Sequence, residues 1–276
     1  MTSMADRYDR LSSRYERWWA PVLAPTARRL THDVATLVSG QPSAHIVDVG
    51  TGTGTVAVEL VERYPHVTVT GVDASAGMLD EARRQARVRL GGTASRRIHF
   101  VRGEAAELPF DAGAFDAAVS SFVFQLVPDR FAALREAHRV LRPGGLLAVL
   151  SWLGDEHAFS PDEAFEDAID ELELTFDDEP DDRRSGNYPS VAAAAAQARR
   201  AGFRDVRATA AELVHHYDPG AYLQFLEEYA EHSLFDGLGR QDRDHLRDVA
   251  RRRLRRLRPE AFVWRMDVVT VVGRRS

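Results

Sequence analysis

The sequence predicts an α/β fold organised around a doubly wound, mostly parallel sheet. Over the first 152 residues, apolar segments of strand length alternate with segments that have the apolar periodicity of helices. The first apolar segment leads into a glycine-rich turn, and the second ends at an acidic residue, Asp73. Strands that alternate with helices form parallel sheets covered on both faces, and such sheets bind ligands outside the carboxyl ends of their strands. We therefore expect a ligand site where those ends meet.

The N-terminal region is predicted to be helical over residues 5–38. Tyr8, Leu11, Tyr15 and Trp18 recur near helical spacing, which gives this region an aromatic face. Such a face can pack on the core, cover a bound ligand, or do both.

Five strands and three helices are predicted to follow in alternation. Each predicted strand is short and apolar, and the fourth is followed by a pair of serines. The predicted strands cover residues 45–49, 67–72, 98–102, 115–119 and 146–151, and the predicted helices cover residues 54–63, 75–88 and 128–141.

From about residue 153 the alternation stops. Ser160 is predicted to cap a helix, because Pro161 follows at the first helical position and Glu163 stands three residues after the cap. The remaining predicted elements are a helix over 192–201, a strand over 206–217, further helices over 219–258 and a final strand over 262–272.

The turn from Asp48 to Gly54 is the most informative motif. Its glycines lack a Cβ, so the backbone can approach a ligand closely. The carboxylate of Asp73, at the end of the second strand, is placed to accept hydrogen bonds from two vicinal ribose hydroxyls. A dinucleotide-binding turn needs a third glycine at the position of Thr55. The motif therefore favours a nucleoside other than a dinucleotide, with a glycine turn that binds no ligand as the alternative.

Two later segments complete a recognisable pattern. Phe100–Phe110 carries the third strand into a loop that contains Glu104, and Arg139–Gly145 precedes the fifth strand. With these motifs the chain resembles the class I S-adenosylmethionine-dependent methyltransferases, in particular the small-molecule branch of the ubiquinone and menaquinone type. The resemblance implies a Rossmann-like sheet of seven strands, with an antiparallel last strand and helical lid insertions. It also implies one catalytic domain, made of a helical flap (1–40), a cofactor-binding core (41–152) and substrate-side insertions with the closing strands (153–276).

The resemblance implies S-adenosylmethionine as the cofactor and a role for each matching residue. Asp48 would lie near the cofactor's ammonium group, Asp73 would hold the ribose and Glu104 would face the adenine edge. Tyr8 and Tyr15 would belong to the flap. The predicted cofactor-binding set is completed by Gly50, Thr51, Gly52, Gly54, Ala74, Met78, Ala105, Ser120, Ser121 and Gln125.

The acceptor side carries weaker signals. His157, a few residues beyond the fifth strand, is the best-placed candidate for a general base, ahead of His215 and His216. Five aromatic residues are candidates for an apolar substrate pocket, with ordinary core packing as the alternative: Phe122, Phe124, Trp152, Phe159 and Tyr188. If they line a pocket, the acceptor is a small apolar or aromatic metabolite of the polyketide or quinone type, methylated on O, N or C.

Composition excludes several other kinds of chemistry. The chain has 276 residues, no cysteine and no lysine, so all 36 basic residues are arginine. Thiolate, disulfide and lysine Schiff-base chemistry are therefore excluded, and no metal site is predicted. The net charge of −6 argues against a nucleic-acid partner. With no apolar run long enough to span a membrane and no signal-peptide pattern, we expect a cytoplasmic protein with a small-molecule acceptor. The oligomeric state is left open, with a homodimer as one option.

Two charged segments suggest contact with each other. Residues 160–182 contain many acids and no arginine, whereas residues 251–258 are rich in arginine along a helix whose other face is apolar. Solvent-exposed charged faces are the ordinary interpretation of both segments, and docking of one segment against the other is a sharper hypothesis. The alternatives are a cation site in the acidic segment and an RNA-binding surface on the basic helix.

Three further hypotheses remain for function. They are an RNA or protein methyltransferase, a protein that binds S-adenosylmethionine without methylating, and an oxidoreductase linked to NAD.

Overall fold

The structure is a computed structural model, which describes residues 4–38, 43–92, 94–154, 157–174 and 186–276. The described residues fall into two compact units. The first lies within Met1–Asp155, Arg183–Ala211 and Asp267–Ser276, and the second within Glu156–Asp182 and Glu212–Met266.

A seven-stranded sheet organises the fold, as predicted. Its strands follow the order β3-β2-β1-β4-β5-β7-β6. Neighbouring pairs from β3 to β5 are parallel, and β7 runs antiparallel to β5. The strands are β1 (Ala44–Val49), β2 (Val67–Asp73), β3 (Ile98–Arg102), β4 (Phe115–Ser121), β5 (Leu141–Trp152), β6 (Phe203–His216) and β7 (Val263–Arg275).

The helices agree with the predicted positions to within a few residues. One expected detail is absent: Phe159, not Ser160, occupies the cap position of its helix, and no side chain caps it. The helices are α1 (Met4–Trp18), α2 (Ala20–Val38), α3 (Thr55–Arg63), α4 (Ala76–Leu90), α5 (Arg130–Val140), α6 (Ser160–Glu171), α7 (Val191–Arg200), α8 (Tyr222–Phe225), α9 (His232–Gly237) and α10 (Arg240–Leu254). A π-helical turn, Leu226–Ala230, follows α8.

The strand order fixes where a ligand can bind. β1 pairs with β2 on one side and with β4 on the other, so the chain reverses its direction of winding at β1. The side chains of Ile46, Val47 and Val49 are fully buried, as expected for a central parallel strand. A crevice forms at such a switch point, outside the carboxyl ends of the strands.

The second unit confirms that the two charged segments contact each other. Helix α10 packs against α6, and the guanidinium of Arg253 lies 3.0 Å from Asp167 Oδ2 and 2.9 Å from Glu171 Oε2. Leu246 and Leu254 are buried on the apolar face of α10. The acidic residues 177–182 lie outside the described part of the chain. None of the described helices is both long enough and apolar enough to span a membrane.

Candidate cofactor and acceptor site

A cavity of about 470 Å³ lies within the first unit, at the carboxyl ends of the parallel strands. Loops that follow β1, β2, β3 and β4 form its wall together with helices α1 and α2. We divide the wall into a polar part and an apolar part. The polar part consists of Asp48, Gly50, Thr51, Gly52, Asp73, Ser75 and Glu104, and the apolar part consists of Ala20, Leu23, Ala27, Val56, Phe122, Val123, Leu126 and Val127.

The glycine turn uses its own amides to hold its shape. Gly50 and Thr51 both donate their N–H groups to the carbonyl of Val72, at 2.7 and 2.9 Å. Gly52 N–H donates to Asp73 Oδ2 at 2.8 Å. All three of these amides therefore have partners within the protein. A pyrophosphate is bound by free backbone amides at such a turn, so this arrangement disfavours a dinucleotide.

Asp73 ties this turn to the start of helix α4. Its second oxygen, Oδ1, accepts the N–H of Ser75 at 2.9 Å, and the Ser75 hydroxyl accepts the N–H of Met78 at 3.0 Å. Burial raises the pKa of the Asp73 carboxyl, and the two backbone hydrogen bonds oppose that rise. The carboxylate is thus held in place before any ligand binds.

Asp48 is a buried carboxyl group in the polar part of the wall. Its Oδ2 accepts the hydroxyl of Thr51 at 2.7 Å. Burial raises the pKa of Asp48 to about 7, with a smaller contribution from the negative charge of Asp73. Among the described residues of the wall there are acids but no arginine and no histidine. Because desolvated carboxylates are stabilised by nearby cations, this part of the cavity fits a positively charged ligand.

The apolar part is formed by one face of α2 and by the loop after β4. Phe122 opens this loop with a φ of 55°, a left-handed backbone that is rare outside glycine. Its ring centre lies 4.0 Å from that of Trp152. On α1, Tyr8 and Tyr15 also line the cavity, and their ring centres are 6.1 Å apart.

Most of the predicted cofactor residues line this cavity. Apart from two residues on helices α1 and α4, they come from the ends of β1, β2 and β4 and the loops after β1, β2 and β3, which the sheet topology brings together. They are Tyr15, Asp48, Gly50, Thr51, Gly52, Asp73, Ala74, Met78, Glu104, Ala105 and Ser121. Their contact with a cofactor stays a prediction.

Three predicted cofactor residues lie outside the cavity wall. Gly54, with a φ of 87°, immediately precedes α3 and faces Ala82, from which an added Cβ would be only 3.2 Å away. The Ser120 hydroxyl donates to the carbonyl of Val49 at 2.8 Å between two strands, and since side chains alternate along a strand, Ser121 lines the cavity instead. The side-chain oxygen of Gln125 accepts the hydroxyl of Ser151 at 2.9 Å.

The predicted substrate residues are also placed differently. Phe124 is fully buried in the core of the first unit, and Trp152 is a buried residue that stacks on Phe122 without lining the cavity. Phe122, another of the predicted aromatic residues, does line the wall. The loop after β4 has no regular alternation, so the sequence could not separate Phe122 from Phe124. His157 is exposed and belongs to the second unit, and its role as a base stays a prediction.

The sequence reasoning missed the apolar wall from helix α2. Ala20, Leu23 and Ala27 have the spacing of one helical face, which is equally typical of core packing. No local signal separates the two roles, because the wall exists only once α2 has packed beside the loop after β4.

Comparison with known proteins agrees with this geometry. Residues 46–145, from β1 into β5, match a family model described as "Methyltransferase domain". A demethylmenaquinone methyltransferase from Deinococcus radiodurans is 37% identical over 154 residues, which are 54% of this chain and 57% of that protein. Residues 46–145 are therefore similar to a methyltransferase domain. The matches span about half the length of the curated relatives.

The fold of this chain recurs in solved structures of proteins with differing chemistry. The structure titled geranyl diphosphate methyltransferase superposes with a TM-score of 0.52 at 19% identity, over 91% of this chain and 77% of that one. The cyclase SpnF superposes with a TM-score of 0.55 at 23% identity, over 90% of this chain and 80% of that one. These likenesses show the shared fold.

Proposed function

We propose that this protein transfers a methyl group from S-adenosylmethionine to a small, largely apolar acceptor. The observation that carries the proposal is the single cavity wall that joins buried carboxylates and an apolar surface within a methyltransferase domain. S-adenosylmethionine, when bound, supplies an electrophilic methyl group on a cationic sulfur. The wall's acids and its lack of basic residues, among those described, fit that positive charge.

The polar part would hold the cofactor. Asp48 would face its ammonium group, where a positive charge stabilises the buried carboxylate. Asp73 has both oxygens fixed by backbone amides, so it would present its remaining lone pairs to the ribose hydroxyls. Ala74 and Met78 would pack on the adenine, and Glu104 would accept from its exocyclic amine.

The apolar part would bind and orient the acceptor. Leu23, Val123 and Leu126 provide a surface that excludes water, and Phe122 offers an aromatic ring for stacking. Positioning a nucleophile in a dry pocket can supply several of the ~7–11 kcal/mol that proximity contributes. Relatives that act on quinones favour an aromatic acceptor, and quinone-like or polyketide-like compounds are the class we propose.

The protein would need no base in this cavity for an acceptor that reacts in its ionised form. The described wall contains acids and tyrosines but no histidine. An acceptor that binds as a phenolate-type or enolate-type anion has already lost its proton. The protein then needs only to align the nucleophilic oxygen or carbon with the methyl group. We therefore propose an acidic acceptor, with His157 as the candidate base if a proton must be removed.

Calorimetric titration tests the cofactor, and methyl transfer tests the reaction. We expect S-adenosylmethionine to bind and NAD not to bind. Incubation with methyl-labelled cofactor and a panel of hydroxylated quinones should then label an acceptor, and the Asp73→Asn variant serves as the inactive control. Binding of NAD alone would overturn the proposal.

A second candidate is a protein that binds S-adenosylmethionine without transferring its methyl group. The lack of a histidine in the described wall favours this candidate, because the carboxylates there are the groups that we assign to the cofactor. Tight cofactor binding without labelling of any compound in a metabolite extract would support it.

A further inference from the structure

Asp9 connects helix α1 to the first turn of helix α4. Its Oδ1 accepts two hydrogen bonds, from the Ser75 hydroxyl at 2.5 Å and from the Gly77 N–H at 2.8 Å. Both donors belong to the beginning of α4, where backbone N–H groups lack partners within the helix. Asp9 therefore acts as a cap supplied by another helix, 66 residues away from Ser75.

The two helices touch through their backbones at the same point. A Cβ added to Gly77 would lie 2.7 Å from the carbonyl oxygen of Asp9 and 2.9 Å from its Cα. Neither atom belongs to a flexible side chain. The contact therefore requires a residue without a side chain at position 77.

This contact adjoins both sides of the cofactor cavity. Ala5 and Tyr8, on the same helix as Asp9, line the wall. Ser75 also lines the wall, and its N–H donates to Asp73 Oδ1, the carboxylate expected to hold the ribose. Through Ser75, Asp9 thus joins the wall contributed by α1 to the loop contributed by β2.

We propose that Asp9 is a positioning residue that holds α1 over the cofactor cavity through its hydrogen bonds to Ser75 and Gly77. This contact is the clasp, and the cofactor binds and leaves only while the clasp is open. The inference rests on the proposed function for the identity of the ligand. Independently, the hydrogen bonds from Ser75 and Gly77 lower the pKa of Asp9, so the clasp holds a charged acceptor, which makes stronger bonds than a neutral one.

The dissociation rate of S-adenosylhomocysteine tests the clasp, followed by tryptophan fluorescence in stopped-flow displacement. Asp9→Ala should raise this rate about tenfold or more, since it removes the acceptor of two charge-assisted hydrogen bonds. Asp9→Asn keeps the shape and a neutral acceptor, so its rate should rise about threefold. Asp6→Ala, an exposed acid on the same helix, is the matched control and should behave like the wild type.

Gly77→Ala tests the same contact from the other helix. The added methyl group must push α1 away, so the dissociation rate should again rise about tenfold. Gly92→Ala, near the other end of α4 with open space around it, is its control. Because both variants open one clasp, combining Asp9→Ala with Gly77→Ala should raise the rate little beyond either alone. Multiplying effects would overturn the proposal.

The outcomes separate the clasp from the proposed function. If the wild type binds neither S-adenosylhomocysteine nor S-adenosylmethionine, the proposed function fails. If the wild type binds the ligand and the Asp9 variants release it at the wild-type rate, the inference about the clasp is wrong. Should Asp9→Ala unfold, Asp9→Asn decides, and an unchanged rate in that variant overturns the inference.

Discussion

The polar and apolar parts of the cavity wall are built in different ways. In the polar part, both aspartates are fixed by local hydrogen bonds: Asp48 accepts the hydroxyl of Thr51, and Asp73 accepts the amides of Gly52 and Ser75. The apolar part has no polar side chain, so the side chains of Leu23 and Leu126 are held in position by packing. The comparison indicates that the polar part, which we propose binds the cofactor, is shaped before a ligand binds. The apolar part, which we propose binds the acceptor, takes its shape from the residues that pack around it. Substitutions in the two parts should therefore differ in size and in the quantity that they change.

Asp73→Asn should have the largest effect on cofactor binding. An amide presents an NH₂ group where one of the two backbone N–H groups now donates, so the turn loses one bond and gains a clash of donors. Leaving a buried donor unsatisfied costs roughly 1–3 kcal/mol, and the ribose contact is weakened as well. We expect affinity for S-adenosylmethionine to fall about a hundredfold, measured by calorimetry. The exposed Asp80→Asn on α4 is the control, and a loss below about threefold in Asp73→Asn would contradict a fixed polar part.

The contact between the two parts can be tested at Gly50. Gly50 and Gly52 both have left-handed backbones, with φ values of 69° and 53°, so alanine strains both alike. At Gly50, however, an added Cβ would lie 2.3 Å from a methyl carbon of Val123, whereas at Gly52 it would meet nothing within 4 Å. Overpacking costs about 1–3 kcal/mol. Urea denaturation should show Gly50→Ala less stable than Gly52→Ala by about 2 kcal/mol.

Val123→Ala provides the rescue for that experiment. It removes the methyl carbons nearest to the added Cβ, so the double variant should recover part of the stability that Gly50→Ala removes. Equal stability of the two glycine variants would mean that the loop after β4 can move away from the added Cβ at no cost in stability. The apolar part would then not be rigidly packed.

Cofactor affinity should depend on pH through Asp48. The folded protein holds a proton on this carboxyl up to about pH 7, whereas an unfolded chain releases it near pH ~4. Asp48 therefore makes the protein without cofactor less stable as pH rises through this window. A bound ammonium group favours the charged form of Asp48 over the protonated form. Affinity for S-adenosylmethionine should therefore rise about tenfold between pH ~5.5 and ~7.

The matched control is Asp48→Asn, in which this step should disappear. A second control is methylthioadenosine, which lacks the amino-acid portion of the cofactor and should bind equally across the window. If methylthioadenosine shows the same step, the titrating group faces the nucleoside instead.

The difference between the polar and apolar parts of the wall explains how much of the site could be predicted from the sequence. The ends of β1, β2 and β3 fix Asp48, Asp73 and Glu104, and strand alternation with helices predicts that these ends meet. The fold and the polar part were therefore readable from local motifs. In the loop after β4, periodicity gives no guidance, and the left-handed backbone of Phe122 could not be foreseen.

The apolar part depends on contacts between distant segments. The apolar spacing in α2 predicts a buried face and does not say what that face meets. The general base could not be fixed either, since His157 lies in a segment without a motif and in the other compact unit.

The smallest effect on cofactor binding is expected at the apolar part. Leu126 lines the cavity and is only partly buried, so Leu126→Ala removes apolar surface without a large loss of stability. Affinity for S-adenosylmethionine should change less than about twofold, while the KM for the acceptor should rise about threefold, because alanine offers the acceptor less apolar surface. Leu126→Met keeps the volume and should leave both values unchanged, and Val88→Ala, exposed on α4, controls for a surface substitution. The change in acceptor KM caused by Leu126→Ala can be divided by its change in affinity for S-adenosylmethionine. This ratio measures how independently the apolar and polar parts of the wall act. An equal loss of cofactor and acceptor affinity would show that the apolar part belongs to the cofactor site, and the acceptor would then have to bind elsewhere.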